Sequence, residues 1–242
     1  MLRGFLGVIS PNQTIMQFNM RKYHSLLSLA FCLVLASLTS AQDCSLFFSE
    51  YAEGSSNNKY LEIYNPTPTA INLGSYAFPN VSNAPTVVGE YEFWNTFPAG
   101  ATIDAFGTYL IVHGQADSLL LLSADHTFNF LSNGDDGFML VEGTEASYTA
   151  VDAVGDFNGD PGSGWDVAGV PGATANHTLR RKSDISMGNG GDWVTSAGDS
   201  LSSEWIVLDN DYALNNALEG YGSHTYTGDP CPVVETTGCT DP

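Results

Sequence analysis

The run Asp156-Phe157-Asn158-Gly159-Asp160-Pro161-Gly162 sets three oxygen-bearing side chains, Asp156, Asn158 and Asp160, at alternate positions. A turn with that spacing can wrap a hard cation such as Ca2+. It departs from the helix-loop-helix calcium motif at Pro161, where that motif has glycine, and at Val167, where it has its bidentate glutamate. The same residues are turn formers and need no ion to make a polar loop. Glu50 with Glu53, or Asp135 with Asp136, could supply the two carboxylates that glycoside hydrolysis sets across a cleft. With 27 acidic residues in 242, however, such pairs arise by chance. The histidines His113, His126, His177 and His224 stand at no metal-ligand spacing from one another. No serine sits in a nucleophile elbow, and no glycine-rich turn leads from strand to helix to hold phosphate. Arg180 and Lys182, two apart on a strand, would point to one face and could grip an acidic partner. Their plainer use is to pair with the surrounding carboxylates. Trp94, Trp165, Trp193 and Trp205 are wide enough to stack sugars, and wide enough to fill a core.

The N-terminal segment bears on where any of this chemistry would act. Arg21 and Lys22 precede an apolar run from Leu26 to Leu38, followed by Ser40, Ala41 and Gln42, which is the order of a secretory signal peptide. The run is shorter than the roughly 20 residues a membrane-spanning helix needs. We expect residues 1–42 to be a presequence with a signal peptide, translated from Met1 or, since Met1 to Asn19 lacks the signal pattern, from Met20, and cleaved near Ala41 or Gln42; the mature protein is then secreted or held at the cell surface without a membrane span. Without those 42 residues the chain keeps all 27 acids against four cations, Lys59, Arg180, Arg181 and Lys182, a net charge of −23. Such a surface repels phosphate polyanions and excludes nucleic acid as a partner held by charge. Cys44, Cys231 and Cys239 remain, an odd number for an exported chain. Cys44 opens the mature domain and Cys231 closes it, so a bridge between them would clamp its ends if their Cα atoms lie within ~7 Å. Other pairings, or a cysteine whose partner lies elsewhere, stay open.

The elements that must position these residues read as short strands separated by turn chemistry. Strands are predicted at Leu46–Tyr51, Tyr60–Tyr64, Ser75–Phe78, Glu90–Phe93, Ala101–Ile103, Thr108–Val112, Gly137–Val141, Ala150–Ala153, Thr178–Lys182 and Trp205–Leu208. One short helix is predicted around Ala116–Leu122. Leu61 and Ile63 alternate with Tyr60, Glu62 and Tyr64, which predicts a strand with one buried face and one partly wet face. Asn133-Gly134-Asp135-Asp136-Gly137 lies between two apolar runs and predicts a hairpin. The number and spacing of strands indicate a sandwich or barrel.

The stretch Phe47-Phe48-Ser49-Glu50-Tyr51-Ala52-Glu53-Gly54-Ser55-Ser56-Asn57-Asn58-Lys59-Tyr60-Leu61-Glu62-Ile63-Tyr64-Asn65 resembles the opening of the bacterial lamin-tail family, related to the immunoglobulin-like domain of nuclear lamins. Ile71 to Tyr76, Asn133 to Leu140, Val151 to Gly155, Gly162 to Trp165, His177 to Lys182 and Glu204-Trp205 keep the family's order. The resemblance implies an all-β fold, an immunoglobulin-like antiparallel β-sandwich of lamin-tail type over residues 43–226, in an exported protein. It implies no activity, although such domains often accompany nucleases or phosphatases on one polypeptide. Residues 227–242 read as a linker, and Gly238 to Pro242 resembles the start of a short cysteine-containing repeat of secreted bacterial proteins, as if a further module followed. Two functions compete. The first is a non-catalytic extracellular binding, tethering or structural module, with a protein or glycan of the cell surface or matrix as partner. The second is an accessory domain of, or a disguised, extracellular nuclease or phosphatase. The lack of a clustered His, Asp and Asn metal centre favours the first.

Overall fold

The computed structural model describes residues 44–229 and Cys231. The presequence expected over 1–42, with Met20, and most of the expected linker, with Cys239, lie outside the described residues. Eleven strands form: β1 (Phe47–Glu53), β2 (Lys59–Tyr64), β3 (Ile71–Asn72), β4 (Tyr76–Ala77), β5 (Thr102–Ile103), β6 (Thr108–Val112), β7 (His126–Thr127), β8 (Phe138–Thr144), β9 (Ser147–Val154), β10 (Thr178–Arg181) and β11 (Trp205–Leu208). Three short helices accompany them, α1 (Ser118–Leu121), α2 (Trp193–Ala197) and α3 (Tyr212–Asn215). One sheet has the order β11-β10-β1-β2-β6-β7; β4-β8-β9 and β3-β5 form two smaller sheets. All pairings are antiparallel except β6 with β7.

The period-2 apolar pattern explains the core. Phe48, Leu61, Ile63, Ile111 and Leu179 of the large sheet share one cluster with Phe78, Phe138, Leu140 and Val154, and each such buried side chain contributes about 1.5–3 kcal/mol. A bulge in β1 between Phe48 and Glu50 inserts Ser49 into the register with β2. Phe48 and Tyr51, three apart, therefore both enter this core, and Ser49 lies close enough to Glu62 on the neighbouring strand to bond its side chain.

The second face of β2 is not wet. Tyr60, Glu62 and Tyr64 are all buried. The residues following β11 fold back over this face, a return that the local alternation along β2 cannot encode. Tyr60, Leu110 and Val112 pack there with Leu120 of α1, Ala213 of α3 and Tyr221. Tyr221 meets Tyr60 edge-on at 4.9 Å and donates its hydroxyl to Leu120 O at 2.6 Å. Gly220, at φ +83°, allows the close approach: a Cβ there would lie 2.0 Å from Arg180 Nη2. A disulfide joins Cys44 to Cys231 across a Cα separation of 5.9 Å, tying the end of this cover to the start of β1.

Other local predictions are corrected. Residues Glu90–Phe93 form no strand, only a single bridge from Phe93 to Asn80. Asn133–Gly137 is not a hairpin but the crossover from β7 in the large sheet to β8 in the opposite one. The actual hairpin there joins β8 to β9, turning at Glu145-Ala146. Helix α1 falls within its predicted range, capped by Asp117, whose carboxylate accepts Leu119 N at 2.8 Å. Helices α2 and α3 were not expected.

Candidate functional site

Where β2 begins, β6 and β7 end and β8 begins, the sandwich opens into a cleft of about 560 Å³. Lys59 and Asn57, at the entry to β2, and His113, just past β6, line it from the large sheet. The loop between β4 and β5 contributes Asn80, Ser82, Phe93 and Asn95. The crossover contributes Phe128 to Leu131, Asn133 and Asp136. This crossover is braced from within. Ser132 Oγ accepts Gly134 N at 2.8 Å and Asp136 N at 3.1 Å, Thr174 Oγ1 donates to Gly134 O at 2.6 Å, and Tyr51 donates to Thr174 O at 2.8 Å.

The ionisable groups of the cleft are already engaged. Lys59 pairs with Glu53 at 3.2 Å and donates to Asn133 Oδ1. Asp136 accepts Asn83 N at 2.8 Å, and burial pushes its carboxyl above the usual range. His113 Nδ1 accepts Gln115 N at 3.1 Å; burial, aided by the Lys59 charge, holds the imidazole below its ordinary pKa and so neutral at pH 7. Asn80 uses both ends of its amide, accepting Asn95 Nδ2 and donating to Val81 O at 3.4 Å, and the other lining amides are each half used. Asn129 Oδ1 accepts Gly114 N at 3.0 Å, Asn57 Nδ2 donates to Gln115 at 3.1 Å, and Asn95 Nδ2 donates to Phe78 O at 3.0 Å and to Asn80 Oδ1 at 2.8 Å. Two aromatic rings at the cleft lie open, Phe93 at 53% and Phe130 at 75% exposure. Behind Phe130, Phe128 stands edge-on at 5.7 Å and leads into the core at Phe78.

The residues singled out in the sequence are dispersed through the fold. Asp156 and Asp160 close local turns onto Asn158 N at 2.8 Å and Gly162 N at 2.7 Å. Among the described residues no three His, Cys, Asp or Glu side chains cluster to hold a metal. Lys182 donates to Ser203 O. Arg180 turns under the C-terminal cover, pairing with Glu50, donating to Glu219 O at 2.6 Å and lying 5.3 Å from the Tyr212 ring. Arg181, wholly buried, pairs with Asp152 and Glu204 and stacks 4.0 Å from the Trp205 ring. Glu50 and Glu53 do not face each other across a cleft: Glu50 is held by Arg180 and Tyr60, Glu53 by Lys59 and Asn176 N. Trp193 and Trp205 are core residues, whereas Trp94 stacks at the surface with Tyr91 and Tyr148.

Two features escaped the sequence reading. One is the cleft, whose asparagines are spread from residue 57 to residue 133 with no regular spacing. The other is Glu62, fully buried with no cation in direct contact. Its oxygens accept Ser49 Oγ at 2.6 Å and Gly222 N at 2.7 Å, and burial together with the nearby Glu50 raises its pKa to about 8. The C-terminal cover keeps this raised acid away from any substrate.

Residues 39–157 match the Lamin Tail Domain family. This segment belongs to the lamin tail domain family. It contains β1 to β9 and every residue that lines the cleft, while β10, β11 and the C-terminal cover follow it. The lamin tail domain is an immunoglobulin-like, non-catalytic family, in keeping with the two-layer architecture. Among solved structures, a DUF4876 family protein from Bacteroides thetaiotaomicron is similar at 15% identity over 81% of this chain and 74% of its own, with a TM-score of 0.36. No curated protein matches the chain. Among the described residues no helix is long and apolar enough to cross a membrane.

Proposed function

We propose that the chain is a secreted or surface-held binding module, which attaches a larger extracellular protein to its surroundings through the cleft at the end of the sandwich. The observation that carries this reading is the cleft itself: a braced concave site lined by half-used amides and two exposed phenylalanines, of a size usual for ligand sites. The Nδ1 of its one imidazole and one oxygen of its buried carboxyl are spent on backbone amides, which suits binding better than proton transfer. Export is supported by the signal-like order of residues 21–42 and by the Cys44–Cys231 disulfide, a bond that persists in oxidising compartments.

The test is to express the full chain in the producing cells and fractionate them, comparing the wild type with Phe130→Ala. The expected result is a chain outside the cytoplasm, beginning near Gln42, retained on the cell envelope or matrix by the wild type and released by the variant. Cytoplasmic residence, equal retention of both proteins, or metal-dependent cleavage of DNA or phosphate esters by the purified full chain would overturn the reading.

A further inference from the structure

We propose that the cleft takes a neutral oligosaccharide, its hydroxyls read by the asparagine amides and its apolar ring faces covered by Phe93 and Phe130. This rests on the reading of the cleft as the binding site and adds the ligand's class.

Charge narrows the field first. The one cation of the cleft, Lys59, is neutralised by Glu53 and further engaged by Asn133, so no free positive charge is left for a carboxylated or sulfated ligand. The net charge of the chain repels polyanions in any case. A cationic ligand would need an exposed, ionised carboxylate, and Asp136, the one carboxyl of the lining, is buried, is pushed by that burial above its usual pKa, and gives one oxygen to Asn83 N.

The amides then supply the recognition. A sugar hydroxyl both donates and accepts, and neighbouring hydroxyls present the pair together, which an amide matches with its NH2 and its carbonyl. At four of the cleft's amides the fold fixes one end and leaves the other without a partner among the described residues. Asn129 and Asn133 spend their oxygens on Gly114 N and Lys59, leaving NH2 donors. Asn57 and Asn95 spend their NH2 groups within the protein, leaving oxygen acceptors. Two donors and two acceptors, each on an anchored side chain, make a surface for hydroxyls that loses little side-chain entropy on binding.

The rings supply the apolar half. Phenylalanine has no polar handle, so its exposure gains nothing from water and leaves apolar surface for a ligand to cover. A pyranose has C–H groups on its faces and hydroxyls around its edge, and so can cover a ring while reaching the amides beside it. An apolar peptide would bury the rings but leave the free amide ends unmatched, each with a desolvation penalty.

Titration calorimetry of the full chain with cellohexaose, maltohexaose, mannohexaose and chitohexaose, with hexagalacturonate as an anionic counterpart, tests the inference. Expected is saturable binding of at least one neutral hexaose, weakened about tenfold or more in Phe130→Ala and in Asn129→Ala at unchanged melting temperature, with hexagalacturonate about tenfold weaker. No neutral hexaose bound at millimolar concentration, equal binding of the anionic sugar, or binding indifferent to both substitutions overturns it. If Phe130→Ala releases the chain from the cell envelope while no neutral hexaose binds, the sugar class is wrong and the binding module stands. If retention and sugar binding are both absent, both readings fall.

Discussion

Arg180 and Arg181 are adjacent in sequence and point to opposite faces of the large sheet, and each meets buried acid in a different way. On the inner side Arg181 is enclosed between the layers, with Asp152 and Glu204 both in direct contact and a further bond to Phe48 O at 3.2 Å. Asp152 in turn accepts Phe48 N at 2.7 Å and Asn189 N at 2.9 Å, so one arginine and one aspartate join β1, β9, β10 and the loop before α2. On the outer side Arg180 engages Glu50 while Glu62, on the next strand, has only a hydroxyl and an amide. The inner cluster matches each carboxylate with a guanidinium nitrogen; the outer one leaves a carboxyl that burial forces toward its neutral form. The first therefore fixes the layers together by charge, and the second makes the attachment of the C-terminal cover depend on protonation.

The sharpest way to break this comparison is to remove each cation. Arg181→Met leaves Asp152 buried and unmatched, and urea unfolding is expected to show a loss of about 3–5 kcal/mol. Arg180→Met is expected to cost roughly half of that or less at pH 5, because its side chain is partly exposed and Glu50, whose pKa burial already raises, can take up a proton. Equal costs at that pH would end the distinction between the faces. The next effect concerns the cover. Cys231→Ser opens a bridge that spans 187 residues of sequence, and a loss of about 2–4 kcal/mol in unfolding free energy is expected. The same variant should flatten the dependence of stability on pH, since a loosened cover lets water reach Glu62.

Glu62 sharpens the comparison further. Its pKa is about 8 in the folded protein against an ordinary 4.5. Between those values the folded chain holds a proton that the unfolded chain has released. The contribution is thus full below pH 4.5 and is lost as pH rises to 8, at up to ~1.4 kcal/mol per pH unit. Glu62→Gln keeps the shape of the neutral form and removes the titration. Urea midpoints across pH 6.5–8, above the range in which His224 titrates, should fall for the wild type and stay level for the variant, which becomes the more stable by roughly 2–3 kcal/mol at pH 8. Parallel profiles would show that the carboxyl is already ionised and hydrated.

The inner face was legible from the sequence and the outer face was not, for a physical reason. Leu61, Ile63, Tyr109 and Ile111 declare their burial through a period of two, and the lamin-tail resemblance set the strands in order. Tyr60, Glu62 and Tyr64 have the composition of a wet face, and only the return of residues 209–229, far along the chain, buries them. The cleft was hidden for a related reason. Asn133–Gly137 has the chemistry of a tight turn, and a turn-rich segment reads alike whether it reverses one strand or carries the chain between sheets. The asparagines that meet at the cleft come from three separate loops, and turn formers in a loop carry no mark of what they will face.

The smallest expected effect tests whether the cover acts as one unit. His224 lies in it at 5.5 Å from the Phe47 ring and 4.8 Å from the Tyr64 ring, and burial, with the charges of Arg181 and Arg180, lowers its pKa to about 4 from an ordinary 6.5. Here the sign is opposite to that of Glu62. Between pH 6.5 and 4 the unfolded chain gains a proton that the folded ring refuses, so the neutral ring's contribution is full above 6.5 and is lost as pH falls to 4. His224→Phe keeps an aromatic ring between Phe47 and Tyr64 without a group to titrate. Since His224 is partly exposed, a gain of about 1–2 kcal/mol over the wild type is expected at pH 4.5, and none at pH 7.5. The two slopes together put the stability optimum of the wild type below neutral pH, between about 4.5 and 6.5. If Glu62→Gln removes the alkaline fall, His224→Phe removes the acid one and the double variant removes both additively, the two groups titrate independently beneath a common cover. A non-additive double variant would show that protonating one already lifts the segment from the other.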